Sequence, residues 1–238
     1  MEYTYELSED GTYYIITGIN EYNSSVKNIV FPSKYNGLPV KEVKKEVSHN
    51  FVYSNLYFEG TIYDWCDISF ESYSANPMYY AENIYMLNNN DEYEWLKEIV
   101  IPEGIEEIKS YSFVNSDYDF KKIVLPKSLK EIQVNGFSNV GWLYDVYYNG
   151  TVADWCNIVL EDDCLIENSE NVYFLNEQGV FYKVIDLIIP DTVEYIGKYA
   201  FSGFDDIIKI YLSKSVKRID VDAFNLYSNS RSVYYDGT

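Results

Sequence analysis

Two stretches carry the residue types most able to do chemistry: YFEGTIYDWCDI at 57–68 and YYNGTVADWCNI at 147–158. Each places a Thr and an Asp ahead of a Trp-Cys pair, giving Thr61, Asp64, Trp65 and Cys66, then Thr151, Asp154, Trp155 and Cys156. A cysteine nucleophile needs a base to form its thiolate, normally His. The chain has one His, His49, ahead of the first copy, and the second copy has none of its own. A Cys–His centre built into both copies is therefore excluded. Zinc needs a paired-Cys or Cys/His cluster, and the sequence has none. Acidic clusters at 8–10, 90–92, 116–119, 161–163 and 204–206 lack the D-x-D-x-D-G pattern of a calcium loop and read as solvated turns. No catalytic residue, cofactor or metal ligand is assigned. The spacing Thr-x-x-Asp instead fits a capping box, in which the hydroxyl takes the N3 amide and the carboxylate reaches back to the N-cap amide. Trp and Cys would then plug an interior, with Cys acting as a small hydrophobe.

What would position such a plug is a repeat. Gly60 recurs as Gly150 and Gly237, Trp65 as Trp155, Phe113 as Phe201, and Ile101-Pro102 as Ile189-Pro190, a long period of 87 to 90 residues. Inside it runs a shorter unit: LKEIVIPEGIEEIKSYSF at 96–113, KKIVLPKSLKEIQVNGF at 121–137, IDLIIPDTVEYIGKYAF at 185–201 and IKIYLSKSVKRIDVDAF at 208–224. A period in the twenties means a solenoid, each coil covering the apolar face of its neighbour. Alternation sends Ile99 and Ile101 inward and Val100 outward, and Pro102, Pro126 and Pro190 end the strands. Phe113, Phe137, Phe201 and Phe224 each follow a small residue and should stack on the back of the coils. Cys66 and Cys156 then lie four coils apart, roughly 19 Å at strand spacing, too far for a disulfide. Cys164 could pair with Cys156, but the first copy has no counterpart.

These units, with the GTxxDWCxI insert at 60–68 and 150–158, resemble the BspA-like class of leucine-rich repeats. The segment NIVFPSKYNGLPVKEV at 28–43 resembles a divergent opening repeat. Leu212-Ser213, where Pro is expected, and KEVSHNF at 45–51 depart from the unit. The resemblance implies a right-handed leucine-rich-repeat solenoid, with a parallel sheet on one face and short helical or 3-10 turns on the other. It also implies a bacterial, host-associated cell-surface or secreted protein that adheres to host or bacterial proteins and has no enzymatic activity.

No Gly/Ser/Pro-rich linker interrupts the chain, so residues 1–238 read as one array. Its parts are a hairpin cap and divergent repeat at 1–56, a long repeat at 57–146, a second at 147–234, and the start of a third at 235–238. The closing YYDGT stops short of the next Asp-Trp, which reads as a piece of a longer protein. YTYELSEDGTYYIITGI at the start is a hairpin signal around Asp10-Gly11. The segments 84–101 and 172–189 are too short for full coils, and the pattern leaves hairpin and short coil both open. A net charge of −20 argues against nucleic acid and anionic lipid as partners. No apolar run approaches the ~18 residues of a membrane span, and no signal peptide opens the chain. The chain is expected to be monomeric.

Function in a repeat scaffold lies on its outward strand positions. These are Val30, Tyr57, Tyr85, Val100, Val124, Tyr147, Tyr173, Ile188, Tyr211 and Tyr234, flanked by Glu98, Lys122, Asp145, Asp186 and Lys209. With 27 Tyr in the chain, this uncharged aromatic strip is the candidate protein-binding surface. Two roles are open to it: recognition of a partner protein, or cross-strand support of a scaffold that has no ligand of its own.

Overall fold

A computed structural model describes residues 2–20, 26–44, 52–114, 120–138, 140, 143–162, 165, 169–226 and 232–237. His49, Cys164 and the divergent 45–51 segment lie outside them. The fold is a β-solenoid of parallel sheets with few helices. The chain divides into two compact units, one of residues Met1–Lys97, Ile108–Asp119 and Asn135–Gly141, the other of Glu98–Glu107, Phe120–Val134 and Trp142–Thr238.

In the first unit, strands Asn28–Pro32, Tyr53–Glu59 and Ala81–Leu87 run parallel, with Val30, Tyr57 and Tyr85 in one cross-strand row. Alternation buries Ile29, Phe31, Leu56, Phe58, Ile84 and Met86 beneath them. After Leu87 the chain turns back. Asn88 Oδ1 accepts the amides of Asn90 and Glu92 at 2.9 and 3.1 Å, and Asp91 takes a left-handed φ of 59°. Tyr93–Trp95 then returns antiparallel, Trp95 opposite Tyr85. The second unit repeats this design. Ile99–Val100, Lys122–Leu125, Leu143–Tyr148 and Ser169–Leu175 run parallel, Asn176 and Gly179 make the turn, and Phe181–Lys183 returns antiparallel. A further parallel set, Asp186–Ile188, Lys209–Leu212 and Ser232–Tyr235, follows. The segments at 84–101 and 172–189 are thus hairpins. Strand Tyr3–Leu7 pairs antiparallel with Tyr14–Ile19, which continues in parallel into Leu38–Val43.

The short units share their turns. The carbonyls of Pro102, Pro126 and Pro190 accept the amides of Ile105, Leu129 and Val193 at 3.3, 3.2 and 3.0 Å. Ser213 does the same for Val216 at 3.1 Å, so the missing proline leaves the turn intact. On the back, Tyr111, Asn135, Tyr199 and Asp222 adopt φ of 59°, 59°, 56° and 55°, each followed by a small residue and then Phe. The four Phe form two stacked pairs, one in each unit: Phe113 on Phe137 at 5.2 Å and Phe201 on Phe224 at 5.4 Å.

Gly150 is required by a close approach rather than by an unusual φ. A Cβ there would lie 2.5 Å from the ring of Tyr148, itself buried in the interior. Gly60 meets Ser33 and the Phe58 ring at 2.7 and 2.8 Å, and Gly237 meets the Tyr235 ring, so three copies use one device. Because the Tyr148 ring has nowhere to move, Gly150→Ala should cost about 1–3 kcal/mol. Urea denaturation monitored by Trp fluorescence reads that loss as a lower midpoint.

Candidate functional site

Both copies of the Trp-Cys motif start a short helix, Ile62–Cys66 and Val152–Trp155. Thr61 Oγ1 accepts the Asp64 amide at 3.3 Å, while Asp64 Oδ2 accepts the Thr61 amide at 2.8 Å and its hydroxyl at 2.7 Å. Thr151 and Asp154 repeat these bonds at 3.2, 2.9 and 2.8 Å. Burial pulls the Asp154 carboxyl upward, but the Thr151 bonds and Lys127 at 3.2 Å hold it below the ordinary value. The caps aim both indoles inward, where neither Trp is accessible to solvent. Trp65 meets Phe31, Phe58 and Phe70 with ring centroids 6.0, 5.0 and 5.3 Å away. Trp155 meets Tyr148 and Phe174 at 5.2 and 5.6 Å.

Each indole N–H donates to the carbonyl just before a back-face Phe: Trp65 to Ser112 at 2.8 Å and Trp155 to Ala200 at 2.6 Å. Asn76, wholly buried, adds bonds to the Tyr111 and Ser112 carbonyls at 2.7 and 3.0 Å. Sequence reasoning overlooked it, although Asn before Pro77 is a turn signal. Cys66 and Cys156 are free, buried thiols, and burial pushes both up to about 12. Lys109 offsets part of this at Cys66, while Asp67 adds to it. A thiol held neutral and shielded is a poor nucleophile at neutral pH.

The outward residues form stacked groups. Tyr57 lies on Tyr85 at 4.8 Å and 14°, and Tyr93 of the hairpin meets Tyr57 edge to face at 5.2 Å and 76°. Tyr147 lies on Tyr173 at 4.5 Å and 8°, and Phe181 meets Tyr147 at 5.0 Å and 83°. Tyr211 lies on Tyr234 at 4.9 Å and 12°. Val30, Val100 and Ile188 are exposed aliphatics at the ends of these rows, while Val124, beside Tyr147, is half-buried.

A polar row runs two residues away on the same face. In the first unit it is Asn28, Asn55 and Asn83, with Asn55 Nδ2 donating to Asn28 Oδ1 at 2.7 Å. In the second, Lys122 pairs Glu98 at 3.0 Å and lies over the Tyr147 ring at 5.4 Å. Asn171 donates to Asp145 at 2.8 Å, Lys183 to Asn171 at 2.5 Å, and Lys209 pairs Asp186 at 3.6 Å. Burial, then the Asp145 charge, pushes the Tyr147 phenol up.

The model of the BspA type leucine-rich repeat region, six copies long, matches residues 15–144, 91–170 and 165–237. The chain belongs to this family. Similar solved structures include a leucine-rich repeat protein of T. pallidum, 18% identical over 94% of this chain and 88% of that one, TM-score 0.43. Another is a leucine-rich cell surface protein of Faecalibacterium prausnitzii A2-165, 15% identical over 98% and 74%, TM-score 0.34. Among curated proteins none matches the sequence.

In this BspA-type chain the hairpins add Tyr93, Trp95 and Phe181 to the outward face, three rings absent from the strip drawn from sequence. Their signal was the alternation in DEYEW and GVFYK, which puts two outward residues on each return strand. Repeats of this kind are typically non-catalytic interaction modules, and their outward residues are where a partner would be met.

Trp155→Phe keeps a ring in the plug but leaves the Ala200 carbonyl buried and unpaired. It should cost about 1–3 kcal/mol, measured by urea denaturation against the wild type. Iodoacetamide at pH 8 should leave Cys66 and Cys156 unmodified in the native chain and alkylate both in urea, as peptide mass spectrometry would show.

Proposed function

We propose that this chain is a non-enzymatic adhesion module of a bacterial cell-surface or secreted protein, gripping a host or bacterial protein through its outward aromatic rows. The observation that carries the reading is the set of stacked tyrosine pairs standing on the outward face of the sheets. Stacking fixes each ring before any partner arrives, so little side-chain entropy remains to be lost on binding. Tyr is also enriched among residues that dominate interface energetics. Membership in the BspA-type repeats and the buried state of both described thiols support interaction over catalysis. The net charge of −20 favours a basic or mixed partner surface.

The test is a chain carrying Tyr147→Ser, Tyr173→Ser and Tyr211→Ser, titrated against a partner protein captured by the wild type. Affinity should fall about tenfold or more, while the melting transition stays cooperative. Unchanged affinity would leave the rows as scaffold support alone, the module then serving as a spacer that presents some other domain.

A further inference from the structure

The two long repeats build the same ring cluster but complete it differently. Tyr57, Tyr85 and Tyr93 in the first unit correspond to Tyr147, Tyr173 and Phe181 in the second. In the second cluster the protein supplies its own cations. Lys122, from the preceding strand, sits over Tyr147 at 5.4 Å, and Lys183, opposite Tyr173, is held by Asn171 and Asp206. In the first cluster the position of Lys122 is Asn28 and that of Lys183 is Trp95. The position of Asn149 is Glu59, an exposed carboxylate with no ion-pair partner among the described residues.

Glu59 stands two residues beyond Tyr57 on the same face, in the cross-strand row that continues through Leu87 to Tyr93. Its charge is felt by the rings around it. Burial, then Glu59, then Tyr57 push the Tyr93 phenol up, and burial, Tyr35 and Glu59 push Tyr5 up to about 12. Tyr5 itself stacks on Tyr35 at 3.8 Å. The carboxylate therefore acts on rings of two groups, Tyr93 and Tyr5, and no lysine among the described residues pairs with it. Lys97 of this unit lies over the Trp95 ring at 4.9 Å instead.

We propose that the first cluster is a binding site for an arginine side chain of a partner polypeptide, with Glu59 pairing the guanidinium and Tyr57 and Tyr93 supplying ring contacts. The second cluster shows that a cation fits over such a ring, since Lys122 lies over Tyr147 there while pairing Glu98. A planar guanidinium suits this setting better than an ammonium, because it can bond a carboxylate in bidentate fashion while stacking on a ring. The proposal deepens the reading of the outward face as a binding surface and rests on it, but it uses only first-unit residues.

The test is a titration of the ¹⁵N-labelled chain with acetyl-Gly-Arg-Gly-amide, followed by amide shifts, with the citrulline peptide as a neutral isostere. The arginine peptide should move the resonances of Tyr57, Glu59 and Tyr93, and the citrulline peptide should not. Glu59→Gln should weaken binding about fivefold or more. Asn28→Lys, which copies Lys122, should close the site with the melting temperature held, since both substituted positions are exposed. Equal binding of the citrulline peptide would overturn the proposal, as would an affinity unchanged by Glu59→Gln. Either result leaves the second-unit tyrosine test standing, so the two readings fail separately.

Discussion

The indole N–H bond to the carbonyl ahead of a back-face Phe holds each long repeat together. Trp65 reaches Ser112 across 47 residues and Trp155 reaches Ala200 across 45. The need for this reach comes from the hairpin. Between Ser169–Leu175 and Asp186–Ile188 the front gains the return strand Phe181–Lys183, while the back gains no strand. The back of one coil must therefore meet the back of the coil after next. It does so at Gly197, where a Cβ would lie 3.3 Å from the Ile158 carbonyl. Trp155 fills the space beneath and satisfies a carbonyl that no neighbouring strand can reach. A buried Trp is tolerated only where its N–H finds an acceptor, so plug and turn specify one another.

Several other features follow from that bond. The indole must enter at a fixed angle, which the Thr-x-x-Asp cap provides by starting the helix at Thr61 or Thr151. The chain must bend tightly before the cap, and Gly60 or Gly150 makes room for the ring two residues earlier. The accepting carbonyl must point inward, which the left-handed Tyr111 or Tyr199 arranges one residue ahead of it. The motif that looks most reactive in the sequence is thus a chain of steric and hydrogen-bonding requirements, and its cysteine is present as volume.

Much of this was legible because the requirements are local. A capping box, a strand-ending proline and a small residue before Phe each have a short-range cause, and repetition at a fixed period multiplied the signal. The hairpins were not legible as such. Alternation of inward and outward residues is the same for a parallel strand and for an antiparallel return, and only the Asn88 and Asn176 side-chain turns decide between them. Leaving hairpin and short coil both open kept Tyr93, Trp95 and Phe181 out of the strip. Those rings are separated in sequence from the positions they contact, and a template of one outward residue per coil has no place for them. Asn76 escaped for a related reason, since its carbonyl partners lie 35 and 36 residues away.

The internal duplication also separates what the scaffold demands from what it leaves free. Trp, Gly, Thr, Asp and the small-Phe turn stand in both copies because packing has one solution for each. The paired tyrosines stand in both as well, and their near-parallel stacking is a sheet-stabilising contact in its own right. Repetition of those rings therefore serves the scaffold as well as the binding role proposed for them. The charges around them are a better guide to recognition. Lys122 against Asn28, Lys183 against Trp95 and Asn149 against Glu59 are exchanges on one face of one design. They remove the lysines that serve the second cluster, leaving Lys97 over Trp95 in the first, and add at Glu59 an exposed carboxylate with no ion pair among the described residues. Exposed side chains that pack against nothing obligatory cost the fold little to exchange. Differences between two copies of the same coil therefore mark the positions where sequence is free to serve something other than folding.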